Sequence, residues 1–324
     1  VLLPPSSAII GHARVLQQLE TDLVAQHVSH AYLLCGPPHI GKLTVARWFA
    51  EQLLLAVVPD DRREVVSRQL AHLTHPDLLI LDELWVEDGP SWEVLARSSN
   101  APQEHREKAG VKTDVIGIDD VRALQERMQA TGELSRRVCI IAGVERMQAE
   151  AANALLKTLE EPPPGRVFIL TSHGHEQLLP TIVSRCRVLH LAPASHRELL
   201  PLLERESEEE RDLLLHIAQG AAGVLLRLRD DTDARVAERN VASAAQAFWT
   251  TRSLLDRLRA LDPLLKRGPE ADGLLRHLFL AVRALPPPQR VGAARALFDL
   301  TRDLETNAHR GLLCARFAQA IATP

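Results

Sequence analysis

The chain has 324 residues, of which 46% are hydrophobic and only 3% aromatic, and a formal net charge of −4. That length supports two or three domains with ample core, filled by Leu, Ala and Val in many packed helices. The mildly acidic balance argues against an autonomous nucleic-acid binder with a global basic field. The four dispersed cysteines, Cys35, Cys139, Cys186 and Cys314, form no C-x-x-C pair, so zinc is not expected and reduced thiols are.

The chain begins at Val1, which implies loss of an initiator Met. The Pro-containing start lacks a signal-peptide pattern and no stretch approaches a membrane span, so a cytoplasmic protein without membrane contact is expected. Residues 12–26 read as a first helix. Residues 31–35, AYLLC, are a short apolar run of the kind found in a buried parallel strand, ended by Gly36 and the Pro37-Pro38 pair. Helical spacing resumes over 43–55. Strand, glycine loop and helix are the setting of a phosphate-binding loop, and GPPHIGKLT supplies Gly36, Gly41 and Lys42 at the required spacing. Backbone N–H groups and a helix N-terminus would face the phosphate, with Lys42 reaching its outer oxygens. The Ser/Thr position holds Leu43, which has no oxygen for magnesium, and Thr44 points about 100° further round the helix. The competing reading is a strand-to-helix turn with no ligand; between these, weak ATP binding through Gly36, Gly41, Lys42 and Thr44 stays open.

Residues 59–75 are charged and mostly helical, and 75–83, HPDLLILDE, read as a second buried strand. Residues 85–114 carry no period and read as a surface loop. A helix is predicted over 119–130, a third strand over 138–141, a helix over 150–160, a fourth strand over 167–170 and a fifth over 187–191. Strands alternating with helices predict a parallel sheet covered on both faces. Strand signals stop after Pro193. Ser195 with Glu198, and Ser207 with Glu210, form capping-box patterns that start helices. Helical patterns then run from about 233 to the end, broken near Gly268-Pro269 and at Pro286-Pro287-Pro288.

NALLKTLEEPP, residues 153–163, is the most specific run in the chain. With LLPTIVSRC, residues 178–186, and with IIGHARVLQQL and SHAYLLCGPP upstream, it resembles the clamp-loader subunits of bacterial DNA polymerase III, which are AAA+ proteins. The resemblance covers residues 9 to about 191 well and the helical tail more loosely. It implies an α/β AAA+ P-loop module over 1–191, a helical lid over 192–239, and an all-α collar over 240–324 that holds a five-subunit ring together. The partners implied are the gamma/tau ATPase subunits and delta, the sliding clamp, and primer-template DNA reached through the assembled complex.

The family contains motors and non-motors. A motor ends its third strand in Asp-Glu, for magnesium and the attacking water. Alignment from the NALLKTLEEPP helix puts Ala142 and Gly143 at those positions here, with Glu145 beyond them. Gly223 stands where motor lids place a phosphate-sensing Arg. Together with Leu43, these four departures argue against hydrolysis. The LLILDE run offers Asp82 and Glu83 as an acidic pair, which is the basis of the alternative reading, an active AAA+ ATPase motor. That pair precedes a long loop, however, rather than the NALLKTLEEPP helix. In Ser184-Arg185-Cys186 the resemblance makes Arg185 an arginine finger that faces a neighbouring subunit's ATP, a role suited to a permanently charged guanidinium with paired donors. The competing reading is an ordinary surface arginine. The four-cysteine zinc module of some members has no counterpart, because 53–75 holds no cysteine and only His72 and His75. The sequence thus predicts a non-hydrolysing loader subunit that requires no cofactor.

Overall fold

A computed structural model describes residues 9–81, 115–283, 285–306 and 308–322. The chain divides into two compact units, one running to Glu204 and including Gln219–Val224, the other formed by Arg205–Ala218 and the chain from Leu225 onward.

The first unit contains α1 (Ala13–Val24), β1 (Ala31–Cys35), α2 (Lys42–Leu55), α3 (Arg63–Ala71), β2 (Leu78–Leu81), α4 (Ile118–Gln129), β3 (Arg137–Ile141), α5 (Ala149–Glu160), β4 (Arg166–Ser172), α6 (Pro180–Val183), β5 (Arg187–His190) and α7 (His196–Leu199). The five strands form one parallel sheet in the order β2-β3-β4-β1-β5. Successive strand residues point to opposite faces, and here both faces are covered. Tyr32, Leu34, Ile80, Ile140 and Ile169 pack with Trp48, Phe49 and Leu53 of α2. Leu33, Cys35, Cys139, Phe168 and Leu170 pack on the other side with Leu124 of α4 and Leu155 of α5. This explains why the strands read as continuous apolar runs.

At the N-terminal edge of β3, Arg137 and Asp77 form a fully buried ion pair at 2.8 Å. Asp77 also accepts the Leu134 amide at 2.8 Å, and Arg137 donates to the Ala130 carbonyl at 3.1 Å. The free carbonyls at the end of α4 are thereby satisfied by a charged group that has a charged partner.

At the other end of the sheet, β1 lies between β4 and β5, with Cys35 in register with Ser172 and His190. The loop from β1 to α2 therefore emerges beside the C-terminal ends of β4 and β5, the edge where open α/β sheets place ligands. Asp82, Glu83 and the stretch 85–114 lie outside the described residues.

The second unit is helical. It holds α8 (Glu208–Ala218), most of α9 (Ala222–Asp230), α10 (Thr232–Thr250), α11 (Leu254–Ala260), α12 (Pro269–Val282), α13 (Pro287–Leu304) and α14 (Arg310–Ala322). The punctuation read from sequence marks real helix starts. The Ser195–Glu198 capping box forms reciprocally, Ser207 Oγ accepts the Glu210 amide at 3.3 Å, and Pro269 and Pro287 open α12 and α13. The core joins Phe248, Trp249, Leu274, Leu278, Leu297 and Phe317, with the Phe248 and Phe317 rings stacked 5.2 Å apart. Ion pairs tie the helices at their polar faces. Glu238 of α10 is bound by Arg227 at 3.2 Å, Arg276 at 2.6 Å and His277 at 2.6 Å, while Arg235 reaches Glu206 at 3.1 Å.

Candidate functional site

The β1–α2 loop is closed by groups of its own chain. The Lys42 ammonium, at the first position of α2, donates to the Gly36 carbonyl at 2.8 Å and the Pro37 carbonyl at 2.7 Å, and the residue is buried. The His39 carbonyl accepts the Gly223 amide at 2.8 Å. The Ile40 carbonyl lies 2.8 Å from His12 Nε2. Four loop carbonyls are thus partnered from within the unit. Of the loop's first three residues, Pro37 and Pro38 have no N–H and the Gly36 amide is spent on the Ser172 carbonyl at 3.1 Å. Ile40 is buried in the α2 face of the core, and Leu43 packs against the same cluster where a motor would offer a hydroxyl. Thr44 is half-buried.

Gly223 is fixed by this closure. A Cβ there would lie 2.8 Å from the His39 carbonyl oxygen, so the start of α9 approaches the loop at a distance only glycine permits. An arginine at 223 would collide with the loop backbone.

The third strand ends at Ile141, and Ala142 is buried, its amide bonded to the Leu81 carbonyl at 2.8 Å. Gly143 has φ 67°, a left-handed conformation that a glutamate would adopt only with strain, and donates to Thr171 Oγ1 at 3.1 Å. Glu145 turns back toward the sheet edge, and its carboxylate holds the His173 ring at 3.1 Å and the His173 amide at 3.3 Å. It therefore braces the turn after β4. Burial is the main cause that pushes the nearby Cys35 thiol up to about 11, with Glu176 and Glu145 adding to it and Lys42 opposing. Among the described residues no group of three or more His, Cys, Asp or Glu side chains is placed to hold a metal ion.

Arg185 follows the short α6 and is one-third exposed. Its Nη1 donates to the Thr181 carbonyl at 2.9 Å and to Ser184 Oγ at 3.4 Å, and its Nη2 pairs with Glu160 Oε1 at 2.7 Å. Cys186 is half-buried rather than fully enclosed, yet burial still raises its thiol to about 12, which leaves it protonated and unreactive. Arg187 is differently placed. It pairs with the buried Asp22 at 2.6 Å, and Asp22 also accepts the Tyr32 hydroxyl at 3.1 Å. The structure brings Gly36, Gly41, Lys42 and Thr44 together as one loop and places Arg185 on a separate turn after α6. Sequence reading missed His12, Ile40 and Glu160. All three lie within runs quoted for the resemblance or the loop, IIGHARVLQQL, GPPHIGKLT and NALLKTLEEPP, but nothing in those runs gave their contacts.

The profile of the family described as DNA polymerase III, delta subunit, matches residues 11–195, more than half of the chain. A delta-prime subunit of DNA polymerase III from Pseudomonas aeruginosa is 36% identical over 212 residues, covering 63% of this chain and 56% of its own length. The Haemophilus influenzae delta-prime subunit is 32% identical over 214 residues, covering 65% and 64%. The chain thus spans less than two thirds of each of these relatives. The crystal structure of a DNA polymerase III gamma subunit-related protein from Thermotoga maritima is 19% identical, covers 94% of this chain and 98% of its own, and has a TM-score of 0.42. The chain belongs to the delta-prime clamp-loader family of bacterial DNA polymerase III.

Proposed function

We propose that the chain is a non-hydrolysing clamp-loader subunit that acts as a scaffold and contributes Arg185 to the ATP site of a neighbouring subunit. The observation that carries this reading is the pairing of a loop closed on itself, with Lys42 spent on the Gly36 and Pro37 carbonyls, and a guanidinium outside that loop that is one-third exposed. The lysine, the third-strand end and the lid glycine are all committed to the chain's own backbone. Among the described residues β3 ends at Ile141 and is followed by Ala142 and Gly143 rather than by an acidic pair, so Arg185 has no such pair there to serve.

The partners proposed are the gamma/tau ATPase subunits and delta in a five-subunit ring, with the sliding clamp and primer-template DNA met through the complex. No bound nucleotide or metal is required of this chain. The helical segment from about residue 240 is assigned to assembly. Val291 and Phe298, seven residues apart on α13, and Leu312 on α14 remain exposed although their helices have a well-filled core, which supports that assignment. Among the described residues no helix is long and apolar enough to cross a membrane.

The test is reconstitution. The purified chain, mixed with the other loader subunits of its source organism, enters a complex of fixed stoichiometry, and by itself shows no ATP turnover above a Lys42→Ala control. Turnover well above that control, or failure to enter any complex, contradicts the proposal.

A further inference from the structure

We propose that Glu160 is a positioning residue for Arg185, and that this carboxylate sets the guanidinium's place before a neighbouring nucleotide arrives. The inference rests on the reading of Arg185 as a finger. Its starting point is the 2.7 Å contact between Arg185 Nη2 and Glu160 Oε1, two residues 25 positions apart in sequence.

An arginine side chain is long and flexible, and its usefulness to a distant anion depends on how little freedom it must give up on contact. Arg185 has two anchors on different elements. The Thr181 carbonyl is backbone of α6, and Glu160 is the last residue of α5. Both elements are fixed by the same core. Leu155 and Leu159 of α5 and Ile182 of α6 are buried in one cluster against the sheet. The guanidinium is therefore referenced to the sheet through two rigid elements. Support of this kind keeps a reacting group close to its productive geometry.

The anchors leave the group able to act. Nη1 makes two hydrogen bonds, to the Thr181 carbonyl and Ser184 Oγ, while Nη2 meets Glu160 as an ion pair at 2.7 Å, so two of the five N–H donors are engaged in hydrogen bonds. Among the described residues neither Nε nor Nη2 makes a hydrogen bond, so their N–H groups remain for an incoming phosphate while the ion pair with Glu160 holds the group in place. Glu161, the next residue, is exposed and forms no ion pair among the described residues, so it serves as a neighbouring carboxylate without the contact.

Two roles are physically distinct. A positioning carboxylate helps through its acceptor oxygen, so an uncharged acceptor of the same length can replace it. A restraining carboxylate hinders through its charge, so its removal frees the finger. The experiment measures clamp- and primed-DNA-stimulated ATP hydrolysis by the reconstituted loader carrying Arg185→Ala, Glu160→Ala, Glu160→Gln, Glu161→Ala or Arg185→Ala with Glu160→Ala. Complex formation is checked separately for each. Positioning predicts that Glu160→Ala lowers kcat by about three- to tenfold, less than Arg185→Ala does, with KM for ATP nearly unchanged. It also predicts that Glu160→Gln recovers most of the rate, that Glu161→Ala matches wild type, and that the double variant is no slower than Arg185→Ala. If Glu160→Ala is as fast as wild type or faster while Arg185→Ala is slow, the positioning role is overturned and the finger stands. If Arg185→Ala is itself as fast as wild type, the finger reading falls, and the positioning role with it.

Discussion

The Lys42 ammonium lies 2.8 Å from the Gly36 carbonyl oxygen, so the lysine of the loop binds the loop's own first residue. With the Pro37 carbonyl at 2.7 Å, this buried charge closes the turn from β1 into α2. A lysine kept for a ligand and a lysine kept for the fold make opposite predictions. Lys42→Met retains the apolar stem and leaves two inward carbonyls without their donor, which costs about 1–3 kcal/mol for each unsatisfied group. Urea unfolding should show a loss of that order, while ATP hydrolysis by the assembled loader, corrected for assembly, stays unchanged. A variant as stable as wild type would show that the lysine is not a structural clasp.

Arg187 and Arg185 are two residues apart and do different work. Arg187 neutralises Asp22, whose carboxylate is buried beside the Tyr32 hydroxyl. Arg187→Ala strands that carboxylate and should destabilise the chain by about 1–3 kcal/mol, because Arg187 is partly exposed and the site can admit water. Arg185→Ala removes a half-exposed pair and should change stability by about 1 kcal/mol or less. Parallel thermal melts check the contrast. Equal melting temperatures for the two variants would contradict the assignment of Arg187 to the fold.

The hydrogen bond from His277, with the Arg276 charge adding to it, lowers the Glu238 carboxyl from its ordinary 4.5 to about 2. A carboxyl more acidic in the folded state contributes stability that is fully present above its unfolded value of about 4.5 and is lost as pH falls toward about 2. The contribution is up to roughly 3 kcal/mol. Glu238→Gln should therefore be less stable than wild type at neutral pH, and the gap should shrink across that acid window. A gap independent of pH between those limits would remove Glu238 as the titrating hub of α10 and α12.

Val291 and Phe298 are exposed on one side of α13 while Leu297 and Leu300 fill the core. The double variant Val291→Glu, Phe298→Glu should keep its melting temperature within about 2 °C of wild type, since exposed substitutions usually cost under ~0.5 kcal/mol. It should weaken complex formation with the other loader subunits by at least about tenfold, as loss of an apolar anchor from an interface does. Size-exclusion chromatography of the mixed subunits reads this directly. Unchanged assembly would direct attention to another face of the helical unit.

Much of the architecture was legible because it is written in local chemistry. The AYLLC run, the Ser195–Glu198 box and the prolines at 269 and 287 each act on their own few residues, and each element formed where it was read. The third strand, read over 138–141 from its own apolar run, forms as β3 with Arg137 added at its start. The closure of the loop was not legible. A Gly-Lys pair reads the same whether the ammonium faces a phosphate or two carbonyls. The partners that decide, His12 and Gly223, lie far away in sequence and act through the left-handed turn at His39 and a backbone amide. The Arg185–Glu160 contact was hidden for the same reason, since it depends on how α5 and α6 pack rather than on either motif alone.

The most direct test of the proposed role is the rate of ATP hydrolysis by the reconstituted loader, stimulated by clamp and primed DNA, with wild-type chain and with Arg185→Ala. Arginine fingers supplied across an interface contribute about 10³ to 10⁵ in rate at the site they face. The expected result is loss of that site's share of hydrolysis with assembly intact, and little rescue by Arg185→Lys, whose point charge cannot contact two oxygens at once. Equal rates for wild type and Arg185→Ala, in complexes of the same stoichiometry, would contradict the account and leave the chain a scaffold without a part in the chemistry.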